Sequence, residues 1–237
     1  LTLSGMVSLL TSRLDEARVT LRAVLARGEA LGRPRLQLGA LDNLARVAAY
    51  LGRWDESAAW GERGRALAEA IGARHDVAVA QLRLAEAAEP AGDTAAAMQW
   101  HEQCLPTFRA QGDRRHEAGV LRQLGSLHLD AGDAQTALQH MAQALELHQG
   151  LDEPLAHALL VADMALCQTR LGRSDAARLA VDGLLARLSG DLAPRPAHET
   201  LAVRWRCQQV LAALGDARAA ALLQQLQADV QARALEL

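Results

Sequence analysis

GDTAAAM, at residues 92–98, indicates how the chain folds, because similar segments recur along the sequence at a nearly constant spacing. Five further segments align with it: SRLDEAR (12–18), GRWDESA (52–58), GDAQTAL (132–138), GRSDAAR (172–178) and GDARAAA (215–221). Their starts differ by 40, 40, 40, 40 and 43 residues. A fixed period of this length indicates a chain built from repeated supersecondary units.

Each recurring segment has the chemistry of a tight turn between two helices. A glycine ends a helix cheaply in the left-handed conformation, and a following aspartate accepts hydrogen bonds from the free N–H groups of the next helix. The glycines are Gly52, Gly92, Gly132, Gly172 and Gly215, and the aspartates are Asp15, Asp55, Asp93, Asp133, Asp175 and Asp216. We therefore predict a helix-to-helix turn at all six segments.

Small residues recur at two fixed distances from the turn and indicate where the paired helices approach each other. Five residues after the start of the turn stand Ala17, Ser57, Ala97, Ala137, Ala177 and Ala220. Seven residues before it stand Gly5, Ala45, Ala85, Gly125 and Ala165, and only Gln208 breaks the series. Close crossing of two helices requires small side chains, so these positions are predicted contacts within each pair.

The composition favours an all-α chain. Half of the residues are hydrophobic, but there is a single isoleucine, Ile71, and one tyrosine and one phenylalanine. Residues with a preference for strands are therefore scarce, whereas alanine and leucine, which favour helices, are abundant.

The repeated unit resembles the tetratricopeptide repeat in its leucine-small pair, its turn glycine and its later alanine. The pair is seen at Leu44-Ala45, Leu84-Ala85 and Leu124-Gly125. The resemblance implies an all-α fold, a right-handed α-solenoid of about six antiparallel helix pairs. The 40-residue period resembles the longer-helix subclass of bacterial multidomain signalling ATPases and transcriptional regulators. HEAT-like repeats, which share this length, are the alternative, but the recurrence of the Gly-Asp turn in register with the later alanine favours the tetratricopeptide repeat.

The sequence departs from the common form of that repeat. The common unit has 34 residues, and its first-helix aromatic is replaced here by Ala48, Ala88, His128, Gln168 or Leu211. The aromatic residue of the second helix is also missing.

The register of the repeats predicts one repeat domain over residues 1–237. Its expected repeats are 1–32, 33–72, 73–112, 113–152, 153–193 and 194–237. Leu1 aligns with Leu41, inside the first helix of a repeat. We therefore expect the chain to be a fragment of a larger protein.

The charged residues exclude several kinds of chemistry. All 25 basic residues are arginine, so the lysine that a phosphate-binding P-loop or a Schiff base needs is absent. The net charge of −3 and the pI of about 6.3 lack the basic footprint of a nucleic-acid-binding domain. We expect neither direct binding of nucleic acid nor an ATPase.

The remaining patterns favour a cytoplasmic protein that is neither an enzyme nor a membrane protein. Cys104, Cys167 and Cys207 are odd in number and widely spaced, which is typical of a reducing compartment. No apolar run approaches the ~20 residues needed to cross a bilayer.

No motif predicts a catalytic centre, a metal or a cofactor. Three His-Glu pairs occur, at residues 101–102, 116–117 and 198–199, but none has the second histidine that a zinc-protease helix requires. His101 and Cys104 lie on one helix face, yet nothing local supplies further ligands.

The best candidate site is the concave surface that first helices line in tetratricopeptide arrays. The candidate binding residues are Asp42, Arg46, Arg83, Glu86, Arg122, Ser126, Trp205, Arg206 and Gln209. Arginine grips carboxylates with two hydrogen bonds, and tryptophan is a frequent hot spot. The alternative is that these residues form solvated helix faces with ordinary ion pairs. Asn43 is the only asparagine, whereas many relatives grip a peptide backbone with several.

Two functional hypotheses of different kinds follow, and a third is disfavoured. The first is a non-catalytic interaction and regulatory domain of a larger bacterial signalling or transcription-regulating protein, which binds a protein, a peptide or other domains of its own chain. The second is a free-standing adaptor or peptide receptor. An enzyme on a repeat scaffold would need a pocket with converging titratable groups.

Overall fold

The computed structural model describes residues 3–151, 153–190, 192 and 197–236, and in this part of the chain all regular structure is α-helical. Eleven helices are present there: α1 Leu3–Ala30, α2 Pro34–Tyr50, α3 Trp54–Ala70, α4 Arg74–Ala88, α5 Thr94–Gln111, α6 Arg114–Asp130, α7 Ala134–His148, α8 Pro154–Arg170, α9 Ser174–Ser189, α10 Ala197–Ala213 and α11 Arg218–Glu236. The predicted all-α class is confirmed.

The turn between α4 and α5 shows how two adjacent residues reverse the chain. Gly92 has φ +85° and its N–H bonds to the Glu89 carbonyl at 3.1 Å, while the Asp93 N–H bonds to the Ala88 carbonyl at 3.0 Å. These two bonds satisfy carbonyls at the end of α4. The Asp93 side chain then accepts from the Ala96 N–H at 3.0 Å and begins α5. One glycine therefore ends a helix, and the aspartate beside it starts the next.

The same side-chain cap forms in only some of the turns. Asp133 accepts from the Thr136 N–H at 3.0 Å, as Asp93 does one repeat earlier. The corresponding residues before α3 and α9 are Arg53 and Arg173, and neither side chain makes a capping bond. Asp55 and Asp175 lie in the first turns of these helices and favour them through charge alone.

The predicted turn at residues 12–18 is wrong. Helix α1 runs without a break through this segment. The physical reason is that SRLDEAR has no glycine, and every other turn of the series contains a glycine with positive φ. The predicted alignment of Leu1 with a first helix concerns a residue outside the described part of the chain.

Small residues pack where the paired helices from α2 onward cross, as predicted, but the crossing predicted for Gly5 and Ala17 is wrong because both lie in the single helix α1. Ala45, Ala85, Ala97 and Ala137 have no exposed surface. The Ser57 hydroxyl, which replaces an alanine, donates to the Ala45 carbonyl across the α2–α3 crossing at 2.9 Å. The last repeat differs by one residue. There Ala219 is buried and the predicted Ala220 is exposed.

The chain divides into two compact units, Ser4–Val120 and the part that starts at Leu121. In the first unit α2 packs on α3, α3 on α4 and α4 on α5, and Leu25 of α1 joins a buried cluster with Leu41 and Leu44 of α2. In the second unit α8 packs on α7, α9 and α10, and α10 packs on α9 and α11. The prediction of one domain with the given repeat bounds stays a prediction.

Helix α4 ends at Ala88, two residues before Pro90, whose ring and missing N–H do not allow a helix to continue. Among the described residues, no helix combines the length and the apolar character required to span a bilayer.

Candidate functional site

Three of the predicted binding residues form one charged chain in the unit Ser4–Val120. The Arg83 Nε on α4 lies 2.8 Å from Asp42 Oδ1 on α2, and its Nη1 bonds to Glu86 one turn further along α4. The two first helices are therefore joined by a guanidinium held between two carboxylates. This is the fork geometry that arginine is suited to make.

The environment of Arg83 makes it a structural residue. Its side chain is only 13% exposed. Burial by itself lowers the pKa of the guanidinium, but the charges of Glu86 and Asp42 outweigh burial and raise this pKa above its ordinary value. A small cavity of about 30 Å³ lies beside Asp42 and Arg83, with room for about one water molecule.

Arg46 differs from Arg83 in having its charge available. It lies on α2, one turn beyond Asp42, and is exposed. Among the described residues it makes no ion pair. Of the four predicted residues in this unit, Arg46 is therefore the one whose guanidinium is free to meet an incoming group.

In the unit that starts at Leu121, the predicted residue Arg206 faces an aspartate, Asp163, that is not among the predicted binding residues. Arg206 Nε on α10 lies 2.7 Å from Asp163 Oδ1 on α8 and forms an ion pair with it, and the Arg206 Nη1 donates to Gln209 at 3.1 Å. Arg122 of α6 also acts electrostatically on Asp163. Ser126 of α6 is half-buried.

Asp163 is almost fully buried, at 2% exposure. Burial raises its pKa above the ordinary 3.8, and the nearby charges of Arg206 and Arg122 only partly offset this effect. The sequence could have identified Asp163 as a candidate, because it occupies the same position in its repeat as Arg83 and Arg206. Each of these residues stands nine residues before its turn glycine, which is Gly172, Gly92 or Gly215.

Trp205 does not lie with these charges but in an apolar groove between α10 and α11. The groove has a volume of about 660 Å³, and its lining residues are Leu201, Trp205, Leu223, Leu226, Gln227, Val230 and Gln231. Trp205 is 46% exposed and Val230 54% exposed. The apolar lining of this groove was not predicted as a site, although Leu223, Leu226 and Val230 follow helical spacing.

One group of metal-ligating side chains occurs among the described residues. His75 Nε2, Asp113 Oδ2 and His116 Nδ1 all lie within 4.8 Å of one another. His75 Nε2 is 3.0 Å from Asp113 Oδ2, and His116 Nδ1 is 2.7 Å from the same oxygen. We call these three residues the His-Asp-His cluster. It lies where α4 and α6 begin.

The His-Asp-His cluster is ordered by its surroundings. The His116 ring stacks on Phe108 with ring centres 4.8 Å apart, and the His75 ring meets Phe108 edge-on at 5.8 Å. Burial raises the pKa of Asp113, but hydrogen bonds with His75 and His116 outweigh burial and lower it to about 2. The Asp113 side chain is therefore ionised at neutral pH.

His101 and Cys104, the pair considered from the sequence, are both fully buried in α5. The Cys104 thiol donates to the His101 carbonyl at 3.3 Å. Burial raises the pKa of this thiol to about 12, so it stays protonated and is a poor metal ligand.

Comparison with known families gives the class of these helices. Residues 36–110, which run from α2 into α5, match the family model described as tetratricopeptide repeat. The resemblance to the tetratricopeptide repeat is thereby confirmed, while the 40-residue subclass stays a prediction. No curated protein matches the chain in sequence.

Solved structures with the same fold extend over most of the chain. Apo RapI aligns with a TM-score of 0.77 at 11% identity, over 97% of this chain and 62% of RapI. BtubC from P. vanneervenii aligns with a TM-score of 0.68 at 22% identity, over 75% of each chain. NprR in complex with its cognate peptide NprX aligns with a TM-score of 0.58 at 14% identity, over 94% of this chain and 64% of NprR. At these identities the likeness concerns the fold, which is that of an α-solenoid.

Proposed function

We propose that this chain is a non-catalytic interaction domain of a bacterial signalling or transcription-regulating protein, and that it binds a protein or peptide partner on the face made by its first helices. The observation that carries the proposal is the exposed guanidinium of Arg46 beside the ordered Asp42–Arg83–Glu86 chain. A free positive charge next to an ordered network of ion pairs is suited to selective recognition.

The fold supports a role in binding. Tetratricopeptide repeats stack helix pairs and thereby create extended surfaces for partners. NprR, which shares the fold, is known in complex with a cognate peptide. The lack of lysine adds support, because it removes the amine chemistry of several enzyme classes from these residues.

The chemistry of Arg46 indicates what the partner carries. A guanidinium forms two parallel hydrogen bonds with a carboxylate. Arg83 is not available for this purpose, because Asp42 and Glu86 already occupy it. We therefore propose a partner segment with an aspartate or glutamate at the contact with Arg46. Trp205 is proposed as a separate contact in the other unit.

Selection of peptides from a random displayed library against the whole chain tests the proposal. The affinity of a selected peptide is then compared between the natural chain and Arg46→Glu. Reversal of a contacting charge is expected to weaken binding by about tenfold or more. Arg27→Glu is the matched control, because Arg27 of α1 is also exposed and, like Arg46, makes no ion pair among the described residues.

A peptide that binds Arg46→Glu as tightly as the natural chain contradicts the site. Reading the open reading frame around these residues tests the wider role. An effector domain in the same frame supports a regulatory region, whereas a frame that encodes only these residues favours a free-standing adaptor.

We also propose that the domain works in the reducing cytoplasm. Cys104, Cys167 and Cys207 are all buried free thiols. Burial raises the pKa of Cys167 to about 11 and of Cys207 to about 12, so both are inert thiols. Unpaired cysteines of this kind are typical of cytosolic proteins.

A further inference from the structure

We infer that the His-Asp-His cluster binds one divalent transition-metal ion, with Zn²⁺ the best match. His75 comes from the first turn of α4, and Asp113 and His116 come from the start of α6, so a metal held by all three joins two successive repeats within the unit Ser4–Val120. This site goes beyond the proposed binding of a partner and does not depend on it.

The donor atoms are almost placed for coordination. A tetrahedral zinc ion with bonds of about 2.0–2.2 Å holds its ligand atoms about 3.4 Å apart. Asp113 Oδ2 lies 3.0 Å from His75 Nε2 and 2.7 Å from His116 Nδ1, and the three atoms lie within 4.8 Å of one another. Displacements of roughly half an ångström to one ångström therefore suffice, which rotation of partly exposed side chains provides.

The two oxygens of Asp113 have separate tasks. Oδ1 accepts the hydrogen bond of the His116 backbone N–H at 3.2 Å and so caps α6. Oδ2 faces both imidazoles. The carboxylate is therefore fixed by its helix and still presents one oxygen as a ligand. Phe108 is fully buried and supports both rings from the buried side.

The donor set selects the kind of metal. Imidazole nitrogens suit zinc, copper, nickel and iron, whereas magnesium and calcium require oxygen ligands. The side chains of His75, His116 and Asp113 are 41%, 32% and 24% exposed, so the open coordination positions face solvent. Water completes the coordination in this arrangement.

The surroundings predict a moderate affinity. The first turns of α4 and α6 present the positive ends of two helix dipoles, which oppose a cation. Arg74, Arg114 and Arg115 flank the ligands in sequence. Three ligands with a single carboxylate are therefore expected to bind Zn²⁺ at micromolar rather than nanomolar concentrations.

Calorimetric titration of the whole, tag-free chain with ZnCl₂ at neutral pH tests the inference, with MgCl₂ as the comparison salt. We expect one Zn²⁺ per chain and no binding of Mg²⁺. His75→Ala and His116→Ala are each expected to weaken Zn²⁺ binding by at least about tenfold, because each removes one of three protein ligands. His157→Ala is the control, because His157 lies in the first turn of α8, outside the cluster.

Asp113→Asn tests whether weaker Zn²⁺ binding results from loss of a ligand and not from loss of folding. Asparagine caps helices as well as aspartate does, so the α6 start is retained while the anionic ligand is removed. Far-UV circular dichroism checks each variant. Weaker binding by Asp113→Asn with unchanged helicity supports the site. The absence of Zn²⁺ binding by the natural chain, or binding that persists in both histidine variants, overturns it.

Discussion

Gly125 of α6 lies so close to Met141 of α7 that a Cβ atom on the glycine would meet the methionine Cγ at 2.7 Å and the Ala137 carbonyl oxygen at 3.1 Å. Met141 is fully buried, and one of the two obstacles is backbone. Gly125→Ala therefore forces α6 and α7 apart. We expect a net loss of about 1–2 kcal/mol in the free energy of unfolding, since overpacking outweighs the helix preference of alanine. Urea denaturation measures it.

Gly119 provides the matched control on the same helix. A Cβ added there meets nothing within 4 Å, and Gly119 is exposed. Gly119→Ala is expected to raise the free energy of unfolding by about 0.5–1 kcal/mol through helix propensity alone. Equal effects of the two substitutions would contradict a close crossing at Gly125.

The cap at the start of α5 gives a second prediction. Asp93→Ala removes the acceptor of the Ala96 N–H bond, at an exposed position where little else is disturbed. The expected loss is about 1 kcal/mol. Thermal and urea unfolding measure the loss, and faster hydrogen exchange of the amides in the first turn of α5 locates it.

The uncapped start of α9 gives the opposite prediction. Arg173 occupies the capping position without a capping bond, and its only polar side-chain contact among the described residues is a 3.4 Å bond to Gln135. Arg173→Asp is expected to stabilise the chain by about 0.5–1 kcal/mol. A loss of stability in this variant would show that the turn before α9 cannot accept the geometry seen before α5.

Asp163 predicts a dependence of stability on pH. Its folded pKa is raised above the ordinary 3.8, so its contribution is complete below that value and is lost as the pH rises through the folded pKa. Asp163→Asn does not titrate and resembles the protonated acid. The variant is expected to gain stability relative to the natural chain as the pH rises from acid to neutral, which urea denaturation in a series of buffers measures.

Asp216 is the control with the opposite sign. Hydrogen bonds from Arg218 lower the pKa of Asp216, so its contribution is present above the ordinary 3.8 and is lost as the pH falls through the folded pKa. Asp216→Asn is therefore expected to be less stable than the natural chain at neutral pH, with the difference shrinking in acid. If Asp163→Asn behaved in this way too, the pair with Arg206 would outweigh burial.

Arg83 and Arg46 separate a structural role from a binding role. Arg83→Ala leaves Asp42 and Glu86 without their shared cation, and we expect a loss of about 1–3 kcal/mol in the free energy of unfolding. Arg46→Ala changes an exposed residue and is expected to alter stability by less than about 0.5 kcal/mol. Similar stabilities of the two variants would argue against the ion-pair chain.

The positions of most turns were predictable because they depend on the preferences of adjacent residues. Gly92 favours the left-handed conformation that ends a helix, and Asp93 accepts the hydrogen bond that begins the next helix. The turn predicted at residues 12–18 is wrong for a related reason: this segment has an aspartate but no glycine, and the aspartate alone does not interrupt the helix.

The candidate sites were less predictable because they depend on residues from different repeats. Arg83 is a predicted binding residue, yet its guanidinium is held by Asp42, which lies a full repeat away. His75 and Asp113 are separated by 38 residues and meet only because successive first helices begin side by side. The repeat period predicts that successive first helices are neighbours, but it does not predict which rotamers bring their side chains into contact.

The Gly-Asp turn has a consequence for how such arrays diverge. Gly172 and Arg173 keep the stop, through bonds to the Thr169 and Gln168 carbonyls at 3.0 and 2.9 Å, although the start after them has no side-chain cap. Ending one helix and capping the next are thus separate roles of two adjacent residues. Substitution of the second residue lowers the stability of one helix only in part, whereas substitution of the glycine removes the turn and lets two helices merge into one.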